Sequence, residues 1–320
     1  MQKNVSSSNN LSKDKMKVWL DGKIIDYNEA KVPILTHSLQ YGSGIFEGIR
    51  SYETDRGAAV FRLHDHVKRF FNTAKIYMMD LRYKESEIEK AIIEVVSVNE
   101  AKQMYIRPFA FYNDDNVGVN TSGKKISTFI AAVPFGSYFE KGKGLRCKIA
   151  SWHRIRSDVL PIEAKASGNY LNSIIASNEA RAAGFDEAIM TTSDGFIAEG
   201  AAENIFIVEG GKLVTPDRSS AILMGITRDT VIRIAKDKGI EVEERSIHRE
   251  ELYYADEVFF SGTAAEISPI VEIDGIKVGS KTSEPLEARM PITTMLSKEY
   301  QDIVHGRNKR YIDWLTFIEK

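Results

Sequence analysis

The sequence predicts a mixed α/β protein with two domains, and three observations lead to this prediction. The chain has 320 residues, which is longer than most single hydrophobic cores support. Strand and helix patterns mix in both halves, and hairpin turns outnumber β-α-β units, so mixed or antiparallel sheets are expected. Residues 136–144 contain three glycines and a shift in charge, which is typical of a linker between domains.

The predicted domain boundaries follow from this linker. Residues 1–16 are rich in Ser, Asn and Lys and are predicted to be a disordered tail. Residues 17–135 are predicted to form a small N-terminal α/β domain, and residues 146–320 a large C-terminal α/β domain. The linker between them is predicted to cover residues 136–145.

Composition limits the class of protein. The formal net charge of -2 gives no electrostatic case for a nucleic-acid or membrane partner. The longest apolar run, residues 129–135, is far shorter than the about 18 residues of a membrane helix. The single cysteine, Cys147, excludes an internal disulfide and is typical of a reducing compartment. We therefore expect a cytoplasmic protein whose partners are small molecules.

Hydrophobic periodicity and turn residues place the elements of both halves. Helices are predicted over residues 64–78, 85–98, 226–238, 249–254 and 286–304, and after the Lys165 segment. Strands are predicted over residues 103–112, 125–134, 146–151, 187–192, 196–198, 204–209, 212–215, 241–245 and 258–260, and hairpin turns at Asp21-Gly22, Arg56-Gly57 and Asp274-Gly275.

Three glycines surround an apolar and an acidic residue near the N-terminus. Gly42, Gly44 and Gly48 flank Phe46 and Glu47. This spacing differs from the dinucleotide fingerprint, and the helix and acidic partner of that motif are not apparent. Close backbone packing near a ligand is therefore the favoured interpretation.

Lys165 lies among very small residues, in the sequence Ala-Lys-Ala-Ser-Gly. Small neighbours let another molecule approach the amine closely. An amine held partly away from water loses its proton more easily and can attack a carbonyl. The alternative is a surface lysine near the start of a helix, for which Asn169 is the candidate cap and Leu171, Ile174 and Ile175 form one face.

Other segments offer groups that a phosphorylated, ring-shaped ligand requires. Glu199 is followed by glycine and alanines, where a flat ring can lie close. Ile226 and Thr227 open a helix whose N–H groups and dipole favour phosphate. Taken singly, the favoured interpretation of Glu199 is a turn residue and that of Thr227 a plain N-cap. Tyr105 and Arg107 share one strand face, which suits either an anion or a surface salt bridge.

Pyridoxal 5'-phosphate needs a lysine for its aldehyde, an arginine and N–H donors for its phosphate, an acid for its ring nitrogen and a donor for its phenolic oxygen. The chain has a candidate for each requirement. They are Lys165, Arg69 with the helix start at Ile226 and Thr227, Glu199, and Tyr170.

At this point the sequence resembles the class IV, fold type IV, pyridoxal-phosphate aminotransferases, and within them the branched-chain amino acid aminotransferases. The resemblance spans about residues 18–280, and the family signature from Glu199 to Arg228 is matched throughout. The segments that carry it are residues 41–50, 105–108, 164–171, 199–206, 225–229 and 261–266. It implies the two-domain fold of D-amino acid aminotransferase-like enzymes.

The resemblance also implies roles for individual residues. Lys165 matches the lysine that bonds to the cofactor, Glu199 the acid at its ring nitrogen, and Tyr170 the donor to its phenolic oxygen. The phosphate cup corresponds to Arg69, Ile226, Thr227 and Thr263. The substrate carboxylate corresponds to Tyr105 and the N–H groups of Thr263 and Ala264, with Arg107 in support.

The side-chain pocket of the family corresponds to aromatic residues and one valine, which suits leucine, isoleucine and valine. These residues are Phe46, Tyr138, Tyr41 and Val119. The resemblance implies that Tyr41 and Val119 are contributed to this pocket by a neighbouring subunit. A homodimer or a trimer of dimers is therefore expected. 2-Oxoglutarate must bind in the second half-reaction, with Arg107 or Tyr41 as the expected helper.

Two relatives of the same fold remain as alternatives, together with a non-catalytic binding protein. D-amino acid aminotransferases use an arginine and a histidine two apart on the Tyr105 strand, and that pair is absent here. Aminodeoxychorismate lyases share Lys165 and Glu199 but are usually shorter. No substrate-side residue is visibly missing, which disfavours a non-catalytic protein. His64 and His66 do not share a helix face, so no metal site is expected.

Overall fold

The structure is a computed structural model that describes residues 15–100, 103–136, 138–139, 142–280 and 283–318. Most of the predicted tail and part of the predicted linker lie outside these residues. The strands are β1 (Lys17–Leu20), β2 (Lys23–Asp26), β3 (Gly44–Phe46), β4 (Ile49–Thr54), β5 (Gly57–Phe61), β6 (Met104–Tyr112), β7 (Ile126–Pro134), β8 (Leu145–His153), β9 (Glu187–Thr191), β10 (Ile197–Gly200), β11 (Asn204–Glu209), β12 (Lys212–Thr215), β13 (Val242–Glu244), β14 (Glu257–Gly262), β15 (Glu266–Ile273), β16 (Ile276–Lys277) and β17 (Leu315–Phe317). The α-helices are α1 (His37–Tyr41), α2 (Leu63–Ile76), α3 (Glu85–Val98), α4 (Tyr170–Ala182), α5 (Ile226–Asp237), α6 (Glu251–Tyr254), α7 (Leu286–Arg289) and α8 (Pro291–Val304).

The described residues divide into two compact units. The first unit comprises those within Met1–Ser137, Ala164–Gly168 and Ile303–Lys320, and the second those within Tyr138–Glu163 and Asn169–Asp302. Each unit therefore combines segments that are distant in sequence. The predicted division had assigned residues 164–168 and 303–320 to the C-terminal domain, and its boundaries stay a prediction.

The first unit is built on an antiparallel sheet. Its eight described strands have the order β17-β5-β4-β6-β7-β1-β2, with β3 paired to β6. The predicted hairpin at Asp21-Gly22 is confirmed, and both residues have positive φ angles, 46° and 94°, as a tight two-residue turn requires. The two long strands predicted before the linker are confirmed as β6 and β7, which pair along their full length.

Helices α2 and α3 bury their apolar stripes in the core of the first unit, as predicted. Val67 of α2 and Ile92 of α3 lie in one hydrophobic cluster with Trp19, Ile106 and Ile130 of the sheet. Burial of each such side chain stabilises the fold by about 1.5–3 kcal/mol. A smaller cluster includes Ile45, Phe70, Ala74 and Ala166, which anchors the Lys165 segment within this unit.

The second unit is built on a mixed sheet. Its nine described strands have the order β10-β9-β8-β15-β14-β11-β12-β13, with β16 paired to β15. Strand β8 runs parallel to β9 and β15, and β12 runs parallel to β13, while the other pairings are antiparallel. Ile205, Phe260 and Ile270 are among the fully buried residues of its core. The prediction of mixed or antiparallel sheets is confirmed.

Helix α4 is confirmed, but the predicted cap at Asn169 is wrong. Asn169 makes no side-chain capping hydrogen bond, and its own backbone is already helical, with φ -65° and ψ -27°, rather than extended as in a typical cap. Its Nδ2 donates to the Pro161 carbonyl at 3.1 Å. The apolar face is exposed rather than buried, and Leu171 and Ile174 are 65% and 51% exposed. The buried face instead carries small residues such as Ala176, which let the helix lie close to β8 and β9.

The predicted continuous C-terminal helix is wrong, since the segment forms α7 and α8 with a break between them. Met290 at the break has φ -129° and ψ 64°, outside the helical region. Pro291 follows it, and proline disfavours the helical conformation of the residue before it. None of the helices in the described ranges has the length and apolar character that crossing a bilayer requires.

Candidate active site

The main chain of Lys165 is fixed by the first unit. Its N–H donates to Thr73 Oγ1 on α2 at 3.2 Å, and its carbonyl accepts from the Phe46 N–H at 3.0 Å. Ile45 and Ala166 form an antiparallel bridge beside these contacts. The lysine is therefore held by a strand and a helix of a packed core.

The Lys165 side chain lies beside aromatic and cationic side chains of the sheet. Its Nζ is 5.1 Å from the Phe46 ring centroid, and Arg107 Cζ is 4.5 Å from the same centroid. Arg107 Nη2 donates to the Tyr105 hydroxyl at 3.0 Å. The structure thus brings together four residues that the sequence singled out, and the prediction that Tyr105 and Arg107 share a strand face is confirmed.

Two glycines of the motif near the N-terminus allow this close packing. A Cβ atom at Gly48 would lie 2.1 Å from the Tyr105 hydroxyl, and one at Gly44 would lie 2.6 Å from the Phe109 ring. Both distances are too short for real contacts, so a larger residue at either position would displace the facing aromatic side chain. The close backbone packing expected from this motif is confirmed.

Arg69 on α2 is bound by a buried acid to which the sequence patterns assigned no role. Glu47 Oε1 accepts from Arg69 Nε at 2.6 Å, and Glu47 Oε2 accepts from Arg69 Nη2 at 2.8 Å. His66 Nδ1 lies 2.7 Å from the same Oε2. The exposed His64 instead contacts Glu89. The position of Glu47 inside a glycine-rich motif was the one sequence signal for this cluster.

Charge and burial compete in this cluster. Burial alone would raise the pKa of the Glu47 carboxyl, but the charge of Arg69 and the hydrogen bonds from Arg69 and His66 outweigh it and hold that pKa well below its usual range. Burial lowers the pKa of His66, and the hydrogen bond to Glu47 opposes this effect. Glu47 is therefore a buried carboxylate whose charge is matched locally.

Two further candidates of the first unit lie in exposed positions. The Tyr41 hydroxyl accepts from the Gly118 N–H at 3.0 Å, which fixes Tyr41 against the loop that carries Val119. Tyr41 is 39% exposed and Val119 is 78% exposed. Their side chains are accessible in the single chain.

In the second unit, Glu199 on β10 is surrounded by hydrogen-bond donors. Arg154 Nη2 lies 2.7 Å from Oε1, while Asn204 Nδ2 and the Leu223 N–H donate to Oε2 at 3.0 Å and 3.1 Å. The carboxylate is buried, so these donors fix its orientation. Sequence reasoning missed Arg154 and Asn204. The polar Asn204 at the start of an apolar strand was a usable signal, whereas Arg154 had none.

The start of α5 is held next to this cluster. A Cβ atom at Gly225 would lie 2.0 Å from Asn204 Oδ1, so glycine lets the helix start approach the residue that binds Glu199. Gly225 is the N-cap, which makes the plain N-cap interpretation of Thr227 wrong. Ile226 and Thr227 are both buried in the first turn of α5.

The remaining candidates lie on other elements of the second unit. Thr263 and Ala264 form the turn between β14 and β15, and Tyr170 is the first residue of α4. The ring of Tyr138 packs edge-on against that of Phe139. The roles of these four residues stay predictions.

A buried hydroxyl beside the turn between β14 and β15 was missed by sequence reasoning. Ser261 Oγ has no hydrogen-bond partner among the described residues and is buried. A buried hydroxyl with this property is expected to have a partner in the functional protein. Ser261 opens the segment 261–266 that carries part of the family resemblance, but the sequence gives this serine no role of its own.

Glu203 is a second buried acid in the turn that follows Glu199. Its Oε2 accepts from the Ala202 N–H at 3.1 Å, and this oxygen lies 2.9 Å from where a Gly200 Cβ would stand. Burial and the negative charge of Glu187 raise the pKa of the Glu203 carboxyl to about 8. A protonated carboxyl thus supports the turn at neutral pH.

Comparison with known proteins defines the class to which this fold and these residues belong. Residues 44–273 match the family model described as amino-transferase class IV. The chain therefore belongs to the class IV aminotransferase family, and its fold is fold type IV.

The particular relatives are branched-chain enzymes. The chain is 42% identical over 308 residues to the branched-chain-amino-acid aminotransferase of Escherichia coli strain K12, covering 95% of this chain and 97% of that protein. A solved structure of the branched-chain aminotransferase of Thermoproteus uzoniensis with norvaline has a TM-score of 0.89 and 48% identity, covering 95% of this chain and 99% of that one. The Thermobaculum terrenum enzyme in its PLP-form has a TM-score of 0.90 and 36% identity, covering 97% of this chain and 100% of that one. The family resemblance inferred from the sequence is confirmed.

Proposed function

We infer that the chain is a pyridoxal-phosphate-dependent aminotransferase that moves the amino group of leucine, isoleucine or valine to 2-oxoglutarate. The products are branched 2-oxo acids and L-glutamate, formed in a ping-pong sequence. The observation that carries this inference is the likeness to branched-chain aminotransferases over nearly the whole chain. D-amino acid transamination and lyase activity have no comparable support.

The residues present fit pyridoxal 5'-phosphate. The first unit offers the Lys165 amine and the Arg69 guanidinium. The second unit offers the Glu199 carboxylate and the N–H groups at the start of α5, and the buried Ser261 hydroxyl is a donor or acceptor without a partner among the described residues. Amine, cation, helix N-terminus and acid are the groups that this cofactor requires. The proposed phosphate cup comprises Arg69, Ile226, Thr227 and Thr263.

Pyridoxal phosphate supplies an aldehyde that takes the amino group and a ring that draws electrons from the substrate α-carbon. Lys165 is proposed to hold the aldehyde carbon in the resting enzyme. Once the incoming substrate amine has displaced it, the freed Lys165 amine would move the proton from the substrate α-carbon. Glu199 is proposed to hold the proton on the ring nitrogen, with its orientation set by Arg154 and Asn204. Tyr170 is proposed to donate to the phenolic oxygen.

Substrate recognition is proposed to use the face of β6 beside Lys165. The Tyr105 hydroxyl, already hydrogen-bonded to Arg107, is proposed to bind the α-carboxylate with the N–H groups of Thr263 and Ala264. An apolar side chain suits the Phe46 ring. The remaining pocket residues are Tyr41, Tyr138 and Val119. Arg107 is proposed to bind the second carboxylate of 2-oxoglutarate.

We propose a homodimer or a trimer of dimers with the active site at the subunit interface, in the cytoplasm. Exposed apolar side chains support an assembly, because monomeric proteins rarely expose many of them together. Leu171 and Ile174 on one face of α4, and Val117 and Val119 in the loop next to Tyr41, are each more than half exposed. In this assembly Tyr41 and Val119 serve the site of the neighbouring subunit.

The proposal is tested with a panel of amino acids and coupled detection of glutamate. Purified protein supplied with pyridoxal phosphate and 2-oxoglutarate is expected to produce glutamate from leucine, isoleucine and valine, and not from D-alanine. Glutamate formation only from D-amino acids, or release of pyruvate from aminodeoxychorismate, would replace the proposal with one of the alternative activities.

A further inference from the structure

We propose that Glu47 is a positioning residue that sets the Arg69 guanidinium at a fixed place and orientation relative to the Lys165 main chain. The inference deepens the proposed function, and it rests on the proposal that Arg69 binds the cofactor phosphate. Glu47 itself is fully buried, so it acts through Arg69 rather than by contact with the ligand.

Two hydrogen bonds fix the geometry between the Glu47 and Arg69 side chains. Glu47 receives two hydrogen bonds from Arg69, one from Nε at 2.6 Å and one from Nη2 at 2.8 Å. Two parallel bonds to a planar group fix its plane and its rotation, which a single bond does not. The direction in which the opposite edge of the guanidinium points is thereby determined.

The Glu47 carboxylate is itself held by a histidine. His66 lies on α2 with Arg69, and its Nδ1 is 2.7 Å from Glu47 Oε2. Since a carboxylate only accepts, Nδ1 is the donor. Side chains of α2 therefore hold the Glu47 carboxylate through both of its oxygens.

The main chain around Glu47 connects the arginine to the lysine. The Glu47 N–H donates to the Pro108 carbonyl on β6 at 3.0 Å, and the N–H of the preceding Phe46 donates to the Lys165 carbonyl at 3.0 Å. Two consecutive residues thus bind the main chain of the lysine and the side chain of the arginine. The distance between aldehyde-binding and phosphate-binding groups is set through this short segment.

If Glu47 only balanced the charge of Arg69, fewer contacts between them would be enough. A single contact, or a more distant acid, neutralises an arginine, whereas the observed pair uses both oxygens and a second donor. The Arg69 side chain is 15% exposed and that of Glu47 is 0% exposed. The arginine side chain therefore keeps some exposed surface while the acid has none, which fits an acid that acts by supporting the arginine.

The test compares two ligands that differ only in the phosphate. Equilibrium dissociation constants of pyridoxal 5'-phosphate and of pyridoxal are measured by absorbance on the apoenzyme, for the wild-type chain and for Glu47→Gln. We expect Glu47→Gln to weaken pyridoxal phosphate about tenfold and pyridoxal less than about twofold. Equal weakening of both ligands, or of neither, overturns the proposal.

A double-mutant cycle isolates the arginine. In an Arg69→Ala background, Glu47→Gln is expected to change the dissociation constant of pyridoxal phosphate less than about twofold, because the residue through which it acts is gone. A tenfold change in both backgrounds means that Glu47 acts elsewhere. The control Glu94→Gln, at an exposed position of α3, is expected to change neither ligand.

A second variant covers the case in which Glu47→Gln does not fold. Glu47→Asp keeps the charge but withdraws the carboxylate by one methylene, so it is expected to weaken pyridoxal phosphate selectively as well. Unchanged affinity for both ligands in a folded Glu47→Asp chain overturns the proposal. Failure of the wild-type chain to bind pyridoxal phosphate contradicts the proposed function, whereas normal wild-type binding with an unchanged ligand ratio contradicts this inference alone.

Discussion

Arg154 and Glu199 form a buried ion pair in the second unit, with 2.7 Å between Nη2 and Oε1 and side chains that are 6% and 7% exposed. Both charges have lost most of their hydration, so each depends on the other. The pair therefore has two consequences, one for stability and one for the orientation of the proposed catalytic acid.

The stability consequence is tested with Arg154→Met. Removal of one partner leaves an uncompensated buried charge, so the free energy of unfolding is expected to fall by about 3–5 kcal/mol, measured by urea denaturation. Arg156→Met removes an arginine two residues away that pairs with Asp158 in an exposed position, and it is expected to leave the urea midpoint unchanged. Equal midpoints for all three chains would show that the buried pair contributes nothing.

The catalytic consequence is tested with Glu199→Gln. Glutamine keeps the shape of the side chain but cannot hold a proton on the ring nitrogen, so kcat is expected to fall on the order of a hundredfold. The dissociation constant of pyridoxal phosphate is expected to change far less. Equal losses in both quantities would make Glu199 a binding residue only. Glu209→Gln at the exposed end of β11 is the control.

Lys165→Ala is expected to remove both transamination and the visible absorbance of the bound cofactor, because the amine that bonds to the aldehyde and moves the proton is gone. Turnover should fall by about 10²–10⁴-fold or more. Lys68→Ala, at an exposed position one residue before Arg69, serves as the control. Normal turnover of the Lys165→Ala chain would exclude Lys165 as the catalyst.

Gly48→Ala is expected to raise KM for leucine about tenfold, the effect of one hydrogen bond to a charged group. The added Cβ would stand 2.1 Å from the Tyr105 hydroxyl and displace it. Tyr105→Phe should raise KM similarly, and the double variant should be no worse than either single one. Additive effects in this cycle would place the influence of Gly48 outside Tyr105.

The raised pKa of the Glu203 carboxyl predicts how the stability of the folded chain depends on pH. Well below pH 4.5, its proton is bound in both the folded and the unfolded chain. Between about 4.5 and 8, the folded chain keeps a proton that the unfolded chain has released, so stability falls as pH rises and levels off above about 8. Each pKa unit corresponds to about 1.4 kcal/mol, so this fall amounts to several kcal/mol.

Glu203→Gln should remove this fall, because glutamine does not titrate. Urea unfolding at about pH 5 and about pH 8.5, near the two ends of the window in which the proton is released, measures the effect, with Glu209→Gln as an exposed control. The variant is expected to lose less stability than the wild-type chain between the two pH values. Parallel pH profiles for Glu203→Gln and the wild-type chain would contradict a raised pKa at this position.

Local patterns in the sequence were sufficient for most elements of the fold. The amphipathic stripes of α2 and α3 and the alternation along β6 are set by neighbours in sequence, and the structure confirms each. Helix α4 shows where local patterns fail. Its apolar residues Leu171 and Ile174 face outward, because the close approach of the helix to its sheet selects small side chains, a tertiary constraint that periodicity does not contain.

The residues of the candidate site likewise include some that local sequence patterns indicate and others that they do not. Lys165, Tyr105 and Arg107 were found from residue type and spacing, and the structure places them together in the first unit. Glu47 and Arg154 were not found, since their importance depends on burial and on partners 22 and 45 residues away. A charged residue acquires such a role only when the fold removes it from water.

Strand β17 pairs with β5 at the edge of the first sheet, and about 250 residues separate the two strands in the chain. A ribosome adds roughly 5–20 residues per second. Strand β17 is therefore synthesised on the order of 10–50 s after β5. During that interval β5 presents unpaired backbone groups, which invite contact with other nascent chains. Translation speed and chaperone supply are therefore expected to influence how much of this protein reaches its native state.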